Sequence, residues 1–456
     1  MSSRTARSDA AAAGAALLTS SVGDLVAEAH GRYAARRPKS KQRHQRALEV
    51  MPGGNTRSVL GYDPFPTAMA RGEGCHLWDI DGHRYLDLCG EYTAGLFGHS
   101  DSRILNAVRH ALERGVSLAA VGEAEAMLAQ ILCDRFPSLQ RVRFTNSGTE
   151  ANLMAITAAR YFTKRSSVLV FKGGYHGSLL TFPVVGKSAA AAPFPTLCGT
   201  FNDTEGTVGL VLDNARDLAA VLVEPMMGSG GCITARSDFL RTLRDVTKDT
   251  GTVLIFDEVM TSRMSSGGQQ KRLGIIPDLM TLGKYIAGGM SFGAFGGRSE
   301  IMEPFSGQIA HSGTFNNNVV SMAAGVVAMG EIFDGKAADE LFNRGETLKT
   351  RLNELCSSRQ VPLHFSGLGS LIAVQFGTEP VERPVPQTEE QNGLRELFFF
   401  DLLDAGFYLA RRGMIALSLP TSSKDLDAFV SAVDQFIQTR RSVLLQFANA
   451  AQPRST

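Results

Sequence analysis

The chain has 456 residues, of which 44% are hydrophobic and 20% charged, and its 46 Lys and Arg nearly balance 45 Asp and Glu. A formal net charge of +1 gives no electrostatic reason to expect nucleic acid or an anionic membrane as a partner. The composition excludes global disorder and collagen-like repeats, and the length predicts two or three domains with a large core.

Residues 1–22 are rich in Ala and Ser and carry Arg4 and Arg7. They are expected to form a disordered tail, with an organelle transit peptide as the alternative. The run from Ala10 to Leu18 is too short to span a bilayer. Residues 24–50 read as helical until Met51-Pro-Gly-Gly54 breaks the pattern. Asp81-Gly82, between two short stretches of alternating apolar residues, predicts a β-hairpin. From about residue 100, apolar runs such as 168–171, 220–223 and 253–256 alternate with helical patterns, which implies a mostly parallel sheet covered by helices. After about residue 325 a long helical stretch leads to strands expected over 370–376 and 414–419 in a smaller C-terminal domain. The six cysteines share no CxxC spacing, so a zinc ribbon is not expected, and scattered single cysteines fit a reducing, cytoplasmic setting.

Ligands of open parallel sheets collect beyond the carboxyl ends of strands. Those ends carry Tyr175 and His176, then Glu224, then Asp257, then Lys284. A further element, Ser147-Gly-Thr-Glu150, has capping-box spacing ahead of an apolar helical run. A capped, glycine-opened helix start is an anion site. A phosphate site, an aromatic side chain, a carboxylate ending a buried strand and a lysine suit pyridoxal 5'-phosphate. Val259, two positions past Asp257 and on the same side of an extended segment, is the candidate for the ring face opposite the aromatic one.

These pieces resemble the class-III aminotransferases of fold type I, in the branch near glutamate-1-semialdehyde aminomutase. The matching motifs are Asn146-Ser-Gly-Thr-Glu-Ala151, Gly174-Tyr-His-Gly177, Val223-Glu-Pro225, Phe256-Asp-Glu-Val-Met260, Thr281-Leu-Gly-Lys284 and Ser312-Gly-Thr-Phe-Asn316. Within that branch the chain looks most like β-phenylalanine aminotransferases, on Met51-Pro-Gly-Gly-Asn-Thr-Arg-Ser58, Glu91-Tyr-Thr-Ala-Gly95, the glycine-rich run 288–297 and Arg412-Gly413. The resemblance implies an α/β fold with a mostly parallel sheet in a large cofactor-binding domain over 99–335. It also implies a smaller α+β domain over 336–456, joined by an N-terminal segment over 23–98.

It further implies that Lys284 is the Schiff-base lysine and Asp257 the pyridinium partner. Tyr175 is to stack on the ring, and Ser147, Gly148 and Thr149 are to bind phosphate. Thr314 is to serve the phosphate of a neighbouring subunit, so a homodimer is expected. Arg57 and Arg412 are to hold substrate carboxylates, with Arg411 as the adjacent alternative, and Glu224 orients groups in the crevice wall. The expected reaction is a ping-pong transfer of an amino group from a β-amino acid to a 2-oxo acid, with an intramolecular aminomutase as the alternative. Removing Arg57 is expected to cost about 2–5 kcal/mol in binding if its ion pair is desolvated.

Two other chemistries do not fit the residues. Gly289-Met-Ser-Phe-Gly293 matches the GxSxG nucleophile pattern, but no strong β run precedes it, as that motif demands. Position 278 is Asp, so Lys284 does not close a P-loop, and no HExxH is present.

Overall fold

The computed structural model describes residues 21–188, 190–377 and 379–451. The expected tail at residues 1–20 lies outside the described residues. Ser21 and Val22, assigned to that tail, are already part of a helical element: Ser21 caps the helix Val22–Arg36 through a reciprocal pair with Asp24. The helix expected over 24–50 is two helices, because Pro38 has no N–H to continue the first one. Arg37 sits at φ −130 between Val22–Arg36 and Pro38–Leu48.

Strands β1 (Met69–Glu73), β2 (His76–Asp79) and β3 (Arg84–Asp87) form an antiparallel meander. The β2–β3 turn is the expected Asp81-Gly82 hairpin. Gly82 takes φ +100, and the Asp79 carboxylate accepts the N–H groups of Asp81 (3.0 Å) and His83 (2.8 Å).

The central sheet contains β4 (Arg141–Thr145), β5 (Ser167–Phe171), β6 (Thr196–Gly199) and β7 (Leu218–Val223). A two-residue ribbon, β8 (Met226–Met227) with β9 (Ile233–Thr234), follows as a separate unit. The sheet continues with β10 (Val253–Asp257), β11 (Leu279–Gly283) and β12 (Gly293–Gly297). Its order is β4-β12-β11-β10-β7-β5-β6, and β12 alone runs antiparallel to its neighbours. All residues of β5, β7, β10 and β11 are buried. That is why these strands read as unbroken apolar runs: helices cover both faces, and each buried Val, Leu or Ile contributes about 1.5–3 kcal/mol. One face packs on the helix Gly148–Thr163, the other on Ser237–Thr250.

The C-terminal part holds β13 (Leu363–Leu368), β14 (Leu371–Phe376), β15 (Phe407–Tyr408) and β16 (Met414–Ala416). Strands β13, β14 and β16 make an antiparallel sheet, and β15 joins β3 in parallel, which ties the N-terminal meander to this part of the chain. The last strand is shorter than expected. After Ala416 the backbone leaves β14, and Leu417 and Leu419 donate to the carbonyls of Ser370 and Leu96 instead. Among the described residues no helix is long and apolar enough to cross a membrane.

Candidate active site

The carboxyl ends of β4, β5, β7, β10 and β11 converge, and Ser147, Tyr175, Glu224, Asp257 and Lys284 follow or end those strands. Ser147 caps the helix Gly148–Thr163, its hydroxyl accepting the Glu150 N–H at 3.2 Å. The expected capping box is only half realised, because Glu150 reaches back to the N–H of Asn146 (2.8 Å), one residue beyond the cap. The N–H groups of Gly148 and Thr149 are first-turn donors that the helix itself cannot satisfy. A methyl group on Gly148 would come within 3.0 Å of Val259, and one on Gly283 within 3.3 Å of it and 3.6 Å of the Gly148 nitrogen. The helix start, Val259 and the strand end carrying Lys284 therefore meet in one notch. Gly177 takes φ +120, and any side chain there would overlap Thr149, so the Tyr175 loop also closes on this helix start.

Lys284 follows β11 with φ +56, a left-handed conformation that non-glycine residues adopt mainly where the surroundings enforce it. Lys284 as a whole is half-buried, but its amine is enclosed and pushed down to about 8, first by loss of water; Asp257 and Glu224 oppose that shift, and the charges of Arg412 and Arg57 add to it. Asp257 is buried at the end of β10. Its Oδ2 meets His176 Nδ1 at 2.7 Å and accepts the Asn152 amide at 2.9 Å, and its Oδ1 accepts the Val259 N–H at 3.0 Å. Burial works to raise this carboxyl, but the hydrogen bond and charge of His176, the Val259 amide and Lys284 outweigh it and hold it below the ordinary range. Burial likewise works to lower His176, and Asp257 raises it instead. The two form a buried ion pair.

Glu224 spends its carboxylate on backbone, with Oε1 accepting from Tyr175 N–H and Oε2 from Gly228 N–H, both at 3.0 Å. It braces the Tyr175 loop against the turn after β7. Tyr175 itself is 46% exposed, an aromatic face open to a ligand. Thr314 is exposed, in a segment anchored to the helix start by Asn146 Nδ2 donating to Asn316 Oδ1 at 3.0 Å.

Arg57 and Arg412 both sit with their guanidinium carbons 5.3 Å from the centre of the Tyr92 ring. Arg411 pairs with Glu396 at 3.5 Å, so Arg412 is the arginine that faces Lys284. Ser291 lies in a turn between a short helical segment, Lys284–Ala287, and β12, and lacks the strand-turn-helix setting a nucleophilic serine needs.

A model of the family described as aminotransferase class-III matches residues 58–421. The chain belongs to the class-III aminotransferase family. It is 46% identical to a β-phenylalanine transaminase of Variovorax paradoxus over 91% of this chain and 96% of that one. The crystal structure of a β-phenylalanine aminotransferase from the same organism superposes with a TM-score of 0.91 at 45% identity, covering 93% of this chain and 99% of that chain. A glutamate-1-semialdehyde 2,1-aminomutase of Methanothermobacter thermautotrophicus is 36% identical, over 88% of this chain and 99% of that one. This class-III aminotransferase is a pyridoxal-phosphate enzyme.

The residues fit that group on their own chemistry. Thr281 gives its hydroxyl proton to Asn152 Oδ1 at 2.9 Å and lies 3.4 Å from Asp257 Oδ1. That leaves Oδ1, beyond the Val259 amide, with a position for one more donor such as a protonated ring nitrogen. The open first-turn amides of a capped helix suit a phosphate. Asn152 is the residue that sequence reading missed. Its amide also donates to the His176 carbonyl at 3.1 Å, so it joins Thr281, Asp257 and the Tyr175 loop. The available signal was a single polar residue among the buried apolar positions of its helix.

Proposed function

We propose that this aminotransferase takes its amino group from a β-amino acid with an apolar or aromatic substituent and passes it to a 2-oxo acid. The observation that carries the proposal is the pair of guanidiniums, Arg57 and Arg412, gathered on Tyr92 beside Lys284. Two cations at one end of the crevice suit donors and acceptors that both bear carboxylates. The neighbouring wall is sulfur-rich and apolar, with Met226, Cys232, Met264 and Met414 buried and Tyr92 and Met260 packed on them. Such a wall accommodates an aromatic or aliphatic group. The likeness to a β-phenylalanine transaminase supports the same donor class.

In this reading Lys284 would carry the cofactor covalently. Ser147, Gly148 and Thr149 would hold its phosphate, Asp257 its ring nitrogen, and Tyr175 and Val259 its two faces. The bound cofactor supplies an electron sink for the carbon that loses its proton. Once the donor's amine has displaced it, Lys284 Nζ would take the proton from the donor carbon that bears the amine and deliver it to the cofactor, which keeps the amino group until the 2-oxo acid arrives. Asp257 stays charged because His176 and Asn152 donate to it. Arg57 and Arg412 orient the carboxylate so that this carbon faces Nζ.

We further propose a homodimer in the cytoplasm, with Thr314 presented to the neighbouring subunit's phosphate. Beside the Thr314 segment, Asn317 Nδ2 bonds the Ala120 carbonyl at 3.2 Å. That adjoining loop exposes Val116 (59%), Leu118 (54%) and Val121 (89%), an apolar rim that a second copy would cover.

The test is a panel of α- and β-amino acids with 2-oxoglutarate. Turnover with a β-phenyl or β-alkyl β-amino acid should exceed that with the matching α-amino acid and should stop when the 2-oxo acid is omitted. Sustained turnover without the acceptor would instead mark an aminomutase.

A further inference from the structure

Arg57 and Arg412 flank the same ring but stand in different electrical states. Arg412 makes no ion pair among the described residues. Its Nε is buried without a hydrogen-bond partner, and its Nη2 meets the Met414 sulfur at 3.5 Å. Arg57 is already neutralised, because its Nη1 is ion-paired with Glu91.

Glu91 reaches Arg57 from an unusual backbone. Gly90, Glu91, Tyr92 and Thr93 have φ values of 53, 47, 52 and 81. Three successive non-glycine residues in the left-handed region are uncommon and strained, and such strain collects at functional sites. The turn is held from several sides. Asp87 Oδ1 accepts the N–H groups of Cys89 and Gly90, both at 2.9 Å, and Gly95 N–H closes on the Gly90 carbonyl at 2.7 Å. The Tyr92 hydroxyl donates to the Val59 carbonyl at 3.1 Å, fastening the turn to the segment that carries Arg57. The result is that two adjacent side chains engage one guanidinium, Tyr92 by its ring and Glu91 by its charge.

We propose that Glu91 is a specificity-determining residue, an internal carboxylate that occupies Arg57 until the carboxylate of the amino donor displaces it. The proposal deepens the reading of Arg57 as a carboxylate site and rests on it. A donor carboxylate arriving at Arg57 exchanges one ion pair for another, so it gains only the difference between them. An amine with no carboxylate leaves the Glu91 pair closed and meets no bare cation at Arg57. Glu91 therefore weakens the preference of the site for carboxylate-bearing donors and preserves its tolerance of uncharged ones. The side chains of Arg57 and Glu91 are 44% and 60% exposed, so the pair has the modest, salt-screened strength of a surface ion pair.

The experiment compares wild type, Glu91→Gln, Arg57→Ala and the double variant, with a β-amino acid and with a carboxylate-free aromatic amine as donors. Melting temperatures confirm folding. Glu91→Gln should lower KM for the β-amino acid about two- to fivefold, the range of an exposed ion pair, and should not lower KM for the plain amine. In the Arg57→Ala background the same change should have no effect, which separates a direct competition from a general disturbance of the turn. If Arg57→Ala raises KM for the β-amino acid while Glu91→Gln leaves it unchanged or raises it, the internal carboxylate is wrong and the Arg57 site stands. If Arg57→Ala leaves that KM unaltered, the carboxylate site itself fails, and this proposal with it.

Discussion

Raising the pH in the cofactor-free protein reads the environment of Lys284 directly. An ordinary lysine at 10.5 is neutral in about 0.03% of molecules at pH 7, whereas an amine at about 8 is neutral in about 9%. Capture of pyridoxal phosphate requires the neutral amine. The capture rate should therefore rise about fivefold from pH 7 to 8, less than twofold from 8 to 9, and then level off. The sign of each contribution can be tested in turn. Arg412 lies on the side that lowers the amine and Asp257 on the side that raises it. Arg412→Ala should move the break in the curve to higher pH, and Asp257→Asn should move it to lower pH. The assay is stopped-flow absorbance during reconstitution, divided by the rate of a free model amine at each pH to remove the titration of the cofactor itself. The same shift makes stability rise with pH, because between about 8 and 10.5 the unfolded chain holds a proton that the folded one does not. A capture rate that climbed tenfold per pH unit through pH 9 would refute the buried, cation-flanked amine.

Asn152→Leu keeps the bulk but removes both donors and the acceptor, so Asp257 loses a hydrogen bond worth about 2 kcal/mol to a charged group. The dissociation constant for pyridoxal phosphate, measured by equilibrium dialysis, should rise about thirtyfold, and an unchanged constant would remove Asn152 from the site. Gly148→Ala places a methyl group 3.0 Å from Val259 at the helix start. It should cost about 1–3 kcal/mol and loosen the cofactor, and unaltered melting with unaltered affinity would count against the notch described here. Arg57→Ala should raise KM for a β-amino acid by less than the 2–5 kcal/mol of a desolvated pair, because Arg57 is 44% exposed and already paired. A change of about 1 kcal/mol, roughly fivefold, is the expected scale, and a hundredfold change would mean that this arginine becomes enclosed when substrate binds.

The sequence by itself determined the sheet and several of the polar side chains gathered at its carboxyl edge. Strands buried on both faces must be apolar throughout, so β5, β7, β10 and β11 stand out as runs, and a polar residue ending such a run has to face the ligand edge. That logic marks Glu224, Asp257 and Lys284 without any coordinates. It reaches Ser147 and Gly148 as well, because a helix start is a local signal. Tertiary structure decided the rest, because the remaining roles depend on which distant segments meet. Asn152 is one polar residue among the buried apolar positions of its helix until Thr281, Asp257 and the His176 carbonyl are seen around it. The choice between Arg411 and Arg412 depends on Glu396, which takes the first and leaves the second facing Tyr92. Glu91 gains meaning only through a left-handed turn whose φ values no side-chain pattern announces. Periodicity encodes burial, whereas the partner of a polar group is set by chain crossings that here join residues from 15 (Arg411 and Glu396) to 320 (Tyr92 and Arg412) positions apart, and those exist only once the fold has closed.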